Sequence, residues 1–259
     1  MWAAFLLALL LISGCSSYKA EPLFDEAEKL LGEGSYLEAV DGYNRVINDF
    51  PRSSYAAKSQ YRIAFIFNRH LKDRARAMEA YTSVRLMYPG SPEARLARAE
   101  MAEFYSLDGD HRKAIEEYQG LLDGSTEEKI RYQRAIAREY MKMNDFRQAR
   151  IEFEELASYG DLPPGLLPGI LFQIANTYYI GAQSDEAVER FDELIARYPG
   201  HKITLDARLG KGNALAEAGR LSEALAVLRG LEGEYPNKKA LRTRIEWLEK
   251  RLKEGPEEH

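Results

Sequence analysis

Six alanines recur along this chain at a nearly constant interval, each in the same local company. They are Ala39, Ala77, Ala114, Ala149, Ala187 and Ala224, separated by 38, 37, 35, 38 and 37 residues. Four positions after each comes a large side chain (Tyr43, Tyr81, Tyr118, Phe153, Phe191, Leu228). Seven positions after comes a branched aliphatic (Val46, Val84, Leu121, Leu156, Leu194, Leu231). Offsets of four and seven put all three on one face of a helix. Four copies add a proline twelve residues past the alanine, at Pro51, Pro89, Pro199 and Pro236. A proline there disfavours helix in the residue before it, so the helix is expected to stop.

A partner helix precedes each of these. Twelve residues before the recurring alanine it offers Ala27, Ala102, Ala137, Ala175 or Gly212. In the second copy the small residue is Ala64, one place early, so the phase slips there. A small side chain on each helix lets two backbones approach, and the large residue fills the space beside the crossing. One such hairpin cannot bury its own apolar face, so neighbours must stack into a solenoid.

The small residue, an aromatic three positions later (Tyr105, Tyr140, Tyr178), the alanine, the aromatic and the proline together resemble the tetratricopeptide repeat, over residues 23–236. The resemblance implies an all-α fold: a right-handed superhelical solenoid of about six hairpins. Their spans read as 23–51, 53–89, 91–124, 125–159, 165–199 and 201–236. Residues 237–253 carry Leu241, Ile245, Leu248 and Leu252 at spacings of 4, 3 and 4. They read as a capping helix over the last apolar face, followed by a disordered tail at 254–259.

Two joints share one chemistry, Phe50-Pro51-Arg52-Ser53 and Tyr88-Pro89-Gly90-Ser91. Each reads as a helix stop followed by a serine that caps the next helix. The Pro/Gly-rich stretch 160–169 is the strongest non-helical signal in this region, and suits either a hinge or a rigid spacer.

Residues 3–12, AAFLLALLLI, are too short to span a bilayer as a helix and match the apolar part of a signal peptide. They lead into Ile12-Ser13-Gly14-Cys15, which resembles the lipobox of bacterial lipoproteins. That resemblance implies a signal over 1–14, a diacylglycerol and N-acyl lipid on Cys15, and a short tether over 15–22. Ser16, by the same resemblance, points to the outer membrane and its periplasmic face. Cys15 is the sole cysteine, so it has no disulfide partner within the chain. The alternative is a secreted protein with an incidental cysteine.

Charged residues make up 30% of the chain and the net charge is -5, which gives no general reason to expect nucleic acid or an anionic bilayer surface as partner. The histidines (His70, His111, His201, His259) show no metal-ligand spacing. Gly210-Lys211-Gly212 lacks the remaining residues of a phosphate loop. The acidic pairs Glu116-Glu117 and Glu154-Glu155 read as solvated outward faces. No catalytic residue, metal or cofactor beyond the lipid is expected.

One pattern rises above this background. Arg131, Arg134, Arg138 and Lys142 recur at spacings of 3, 4 and 4 beside the packing residues Ile136, Ala137 and Tyr140. By resemblance to the repeat family this phase lines a partner-binding groove. The same phase supplies Phe172, Gln173, Asn176 and Tyr179 in the fifth hairpin and Asn213 in the sixth. Guanidinium forks and amides suit carboxylates and peptide backbone. The competing reading is a solvated face held by pairs such as Glu127–Arg131.

Lipobox, tether, repeat array and aromatic-Pro-x-Ser joints together resemble the BamD-type lipoproteins of outer-membrane β-barrel assembly. That implies a non-catalytic scaffold, with a barrel-assembly complex and unfolded outer-membrane proteins as partners. A pilus-secretin pilotin or a cell-envelope coordinator is an alternative of the same build, and an accessory subunit of a peptidoglycan or polysaccharide enzyme complex is an alternative from another class.

Overall fold

The computed structural model describes residues 2–254, with side chains from Ser17 onward. Cys15 and the tail from 255 lie outside the described side chains. The secondary structure described is helical throughout.

The chain divides into two compact units, Met1–Leu121 and Leu122–His259. The first holds α1 (Trp2–Gly32), α2 (Tyr36–Asp49), α3 (Ser54–Phe65), α4 (Arg74–Met87), α5 (Pro92–Leu107) and α6 (His111–Gln119). The second holds α7 (Thr126–Lys142), α8 (Phe146–Ala157), α9 (Leu166–Ile180), α10 (Ser184–Arg197), α11 (Ile203–Glu217), α12 (Leu221–Arg229) and α13 (Lys238–Glu254). Within each unit every helix packs on its sequence neighbours, and the first helices of successive hairpins also touch, as α3 does α5 and α9 does α11. Each unit is a solenoid-type stack of three helical hairpins, and α13 closes the second.

The recurring positions form the core. All six anchor alanines are fully buried, and so are Ala27, Ala64, Ala102, Ala137 and Ala175 opposite them. The aliphatics seven positions on, from Val46 to Leu231, are likewise fully buried. Gly212 holds the same place in α11, where a methyl group would lie 2.4 Å from Cδ2 of Leu228. The small residues therefore sit at the helix crossings, as contact distance requires.

The one-residue slip in the second hairpin has a structural counterpart. Residues Ile66–His70 form a π-helical turn at the end of α3, with Leu71 N donating to Ile66 O at 3.0 Å. A turn closed five residues back absorbs one extra residue without unpairing the helix. Ala64 thereby stays fully buried although it lies thirteen residues before Ala77.

Turns within the hairpins also repeat. Five residues before each anchor alanine the backbone is left-handed: Gly34, Lys72, Gly109, Asn144, Ala182 and Gly219 all have positive φ. Where proline follows at +12, three helices end alike. Phe50, Tyr88 and Tyr198 leave α2, α4 and α10 at φ near -130° and ψ near 50°, each donating back to the carbonyl four residues earlier.

Several expectations require correction. Pro236 does not stop the sixth hairpin, because α12 already ends at Arg229 before Gly230. A first-helix arginine holds that frayed end, Arg208 Nη2 donating to Gly230 O at 2.7 Å. Ser91 caps α5 by accepting from Ala94 N at 3.1 Å, but Ser53 turns the other way and donates to Phe50 O at 2.9 Å. Residues 17–22 of the expected short tether belong to α1, which continues through Pro22. Burial drives that extension: Ala20 is fully enclosed, and Phe24 lies 5.1 Å from Tyr55 and 5.6 Å from Tyr43. The 160–169 stretch is internal to the second unit, where Phe153 and Leu156 of α8 share a core with Ile170 and Ile174 of α9. Glu117 is no solvated face. Its carboxylate is almost fully buried between Arg85 at 3.2 Å and Arg98 at 2.9 Å.

Candidate functional site

The basic stripe lies on α7, whose start is set by a reciprocal cap. Ser125 Oγ accepts from Glu128 N at 3.3 Å, and Ser125 N donates to Glu128 Oε2 at 3.0 Å. From there Ile130, Ile136 and Ala137 turn into the core, which leaves Arg131, Arg134, Arg138 and Lys142 on the exposed side.

These four cations do not behave alike. Arg131 pairs with Glu127 at 3.2 Å and Lys142 with Glu139 at 2.8 Å, each within its own helix. Among the described residues, Arg134 and Arg138 have no carboxylate within ion-pairing distance. Arg138 Nε instead donates to the Arg134 carbonyl at 3.2 Å. The Arg134 guanidinium is held below its usual pKa, first by partial burial and then by the like charge of Arg138 one turn away. Two cations are thus kept close together with nothing to neutralise them.

They stand over apolar ground. Arg134 and Arg138 wall a concavity of ≈ 440 Å³ that is lined by Met141, Phe153, Ile170 and Phe172, with Gln173 at its polar edge. A neighbouring concavity of ≈ 490 Å³ shares both arginines and reaches Arg131 and the Pro163-Pro164-Gly165 turn that opens α9. Phe172 is fixed by the ring of Phe191, 5.8 Å away. A cationic rim over an apolar floor suits a ligand with an anionic group next to a large apolar one.

The other expected groove residues fall elsewhere. Asn176 is half-buried one turn beyond Gln173 and lines neither concavity. Tyr179 and Asn213 belong to a second cluster built around Arg244 of α13. Arg244 Nε donates to Asn213 Oδ1 at 3.2 Å, and its guanidinium lies 3.8 Å from Glu217 and 4.4 Å from the Trp247 ring centre. Burial, and then the charge of Glu217, push the Tyr179 hydroxyl upward, while Arg244 opposes them. Arg244 and Trp247 were missing from the sequence reading. The signal was available, since Tyr235-Pro236 repeats the Tyr198-Pro199 joint and marks α13 as one more first helix.

No cluster of three metal-ligating side chains occurs among the described residues. No helix among the described residues is long and apolar enough to cross a membrane.

Two family profiles described as tetratricopeptide repeat match the chain, over residues 172–239 and residues 58–91. Among solved structures, a tetratricopeptide repeat protein from Parabacteroides merdae is similar at 18% identity and TM-score 0.53, covering 89% of this chain and 87% of that one. In the Naa15/Naa10 complex bound to HypK-THB, the matched chain gives TM-score 0.67 at 14% identity, over 93% of this chain and 35% of its own. PilW, described as a widely conserved type IV pilus biogenesis factor, gives TM-score 0.50 at 15% identity, over 87% and 98%. At these identities the likeness is one of fold. No curated protein matches in sequence.

Proposed function

Because the chain is built of tetratricopeptide-type hairpins, we propose that it is a non-catalytic adaptor whose docking place for polypeptide is the concavity walled by Arg134 and Arg138. The carrying observation is that these two guanidiniums have no carboxylate partner while Phe153, Ile170 and Phe172 lie beside them. A chain terminus that offers a free carboxylate next to a large apolar side chain satisfies both halves of the site. Charge-assisted bonds from arginine to a carboxylate are worth about 1.5 to 3 kcal/mol. Gln173 adds an amide suited to peptide backbone.

In its finer form the proposal puts the protein on the periplasmic face of the outer membrane, held by lipid on Cys15. There it serves β-barrel assembly and receives unfolded barrel proteins through their terminal segments. The lipobox-like Ile12-Ser13-Gly14-Cys15 and the aromatic-Pro-x-Ser joints support this reading.

A photo-crosslinking amino acid at Gln173, introduced in cells, tests it. Adducts with barrel-assembly components or outer-membrane proteins, lost in R134E/R138E, are the expected result. Adducts with pilus or secretin proteins, or with a cell-wall synthase, would overturn the barrel placement and leave the adaptor. The absence of any polypeptide adduct would overturn the adaptor itself.

A further inference from the structure

The chain-wide charge conceals a local reversal. Helix α13 carries seven Lys/Arg against three Glu, a net +4 in a chain of -5. Its apolar face is used up inside the protein, where Leu241, Ile245 and Leu248 are buried. The outward side presents Lys239, Arg242, Lys250 and Lys253, all exposed, with the exposed Glu246 as a single acid among them. Three of these have no carboxylate partner among the described residues, and Lys250 has only Glu254 one turn on, at 3.6 Å.

Beside that basic strip stands Trp247, 38% exposed, with Arg244 at 4.4 Å and Arg251 at 5.4 Å from its ring centre. Trp247 is the wall shared by two shallow depressions of ≈ 520 and ≈ 590 Å³. An indole flanked by guanidiniums has an apolar body and a charged surround, the combination that settles at a boundary between hydrocarbon and headgroups.

A seventh hairpin is a poor occupant for this face. Aligned on the Tyr-Pro joints, α13 follows α11 by 37 residues, so Glu249 stands where Gly212 stands. A methyl group at Gly212 would already lie 2.4 Å from Leu228 of the helix that follows α11. The glutamate at the same place in α13 therefore blocks the close crossing that α11 makes with α12. What the face offers is a net-cationic row, four Lys/Arg with Glu246 among them, along a rod about 25 Å long at 1.5 Å rise per residue, with an aromatic at its flank.

We propose that the outer face of α13 is a docking surface for an anionic phospholipid bilayer, with Lys239, Arg242, Lys250 and Lys253 on the headgroups and Trp247 at the interface. The contact is electrostatic and weakens with salt. It requires neither the lipid on Cys15 nor an occupied Arg134/Arg138 concavity.

The test uses the full chain carrying Cys15→Ala, to exclude lipidation, and Trp2→Phe, so that Trp247 is the sole indole. It is mixed with phosphatidylcholine vesicles, either pure or one-third phosphatidylglycerol. The expected result is a blue shift of Trp247 emission and co-sedimentation with the anionic vesicles, both reduced by added salt. K239Q/R242Q/K250Q/K253Q is expected to lose binding by about tenfold or more, since each cation near such a surface contributes roughly fivefold. Its helical content and melting stay as in the parent. Insertion of the apolar N-terminal run would sediment both variants with both vesicle types, so the Trp247 emission, which reports α13 alone, is the deciding readout. An equal Trp247 shift in parent and variant, or an unmoved Trp247 emission on anionic vesicles, overturns the proposal. So does a Trp247 response to polyglutamate without one to vesicles, which would assign the face to an acidic polypeptide instead.

Discussion

Gly42 of α2 lies so close to Ala27 of α1 that a methyl group on Gly42 would stand 2.9 Å from the Ala27 Cβ and 3.4 Å from its Cα. Neither atom can rotate away. A glycine inside a helix costs about 1 kcal/mol relative to alanine, so its use here reflects the approach of two backbones. Gly42→Ala is expected to lower stability by about 1 kcal/mol net, overpacking by about 1 to 3 kcal/mol outweighing the gain in helix propensity. Ala187→Leu, at a fully buried crossing, is expected to cost more. Denaturant midpoints measure both, and a Gly42→Ala variant as stable as the parent would refute the crossing scheme.

The within-hairpin turns hold a second prediction. Ala182 adopts φ 58° at the place where Gly34, Gly109 and Gly219 stand in other hairpins. A left-handed residue with a Cβ costs roughly 1 to 2 kcal/mol, and the greater unfolded freedom of glycine returns about 0.4 to 1 kcal/mol of that. Ala182→Gly is therefore expected to raise stability by about 0.5 to 1 kcal/mol, read as a higher melting temperature. The reverse change, Gly109→Ala, is expected to lower it.

A third concerns pH. Burial, and then the charge of Glu155, push the carboxyl of Glu152 above the usual carboxylate range. The buried amide of Gln133 donates to both carboxylates, while its own Oε1 has no partner. A carboxyl with raised folded pKa binds its proton more tightly when folded. Its contribution to stability is therefore full below the unfolded pKa and is lost as pH rises through the folded one. Glu152→Gln is expected to stabilise the protein at neutral pH by about 1 kcal/mol, because the new amide also supplies a donor to Gln133. The advantage should shrink on acidification. Melting curves of parent and variant across that range decide it.

The core was legible in the sequence because packing at a helix crossing leaves a periodic mark: small at one position, large four later, aliphatic seven later. Even the slip at Ala64 was visible, although its cause, the π turn at Ile66–His70, required backbone hydrogen bonds. The stop at Arg229 was not legible, since Pro236 is in phase and the end of α12 depends on Arg208 reaching across from α11. The basic stripe could be found by spacing, but not its division. Arg131 and Lys142 are satisfied by Glu127 and Glu139, whereas Arg134 and Arg138 have no carboxylate within ion-pairing distance among the described residues, although α7 and α8 carry several. Glu117 was misread for the same reason, because its arginine partners come from α4 and α5.

Arg134 and Arg138 are exposed and burden each other, so their loss should not weaken the fold. The most direct measurement is calorimetric titration of the purified chain with a short peptide ending in Leu-Phe, once with a free carboxylate and once as the amide. The account predicts that the free acid binds, that the amide binds about tenfold or more weakly, and that R134E/R138E binds neither form while melting no lower than the parent. Equal binding of acid and amide, or a double variant that binds like the parent, would contradict it.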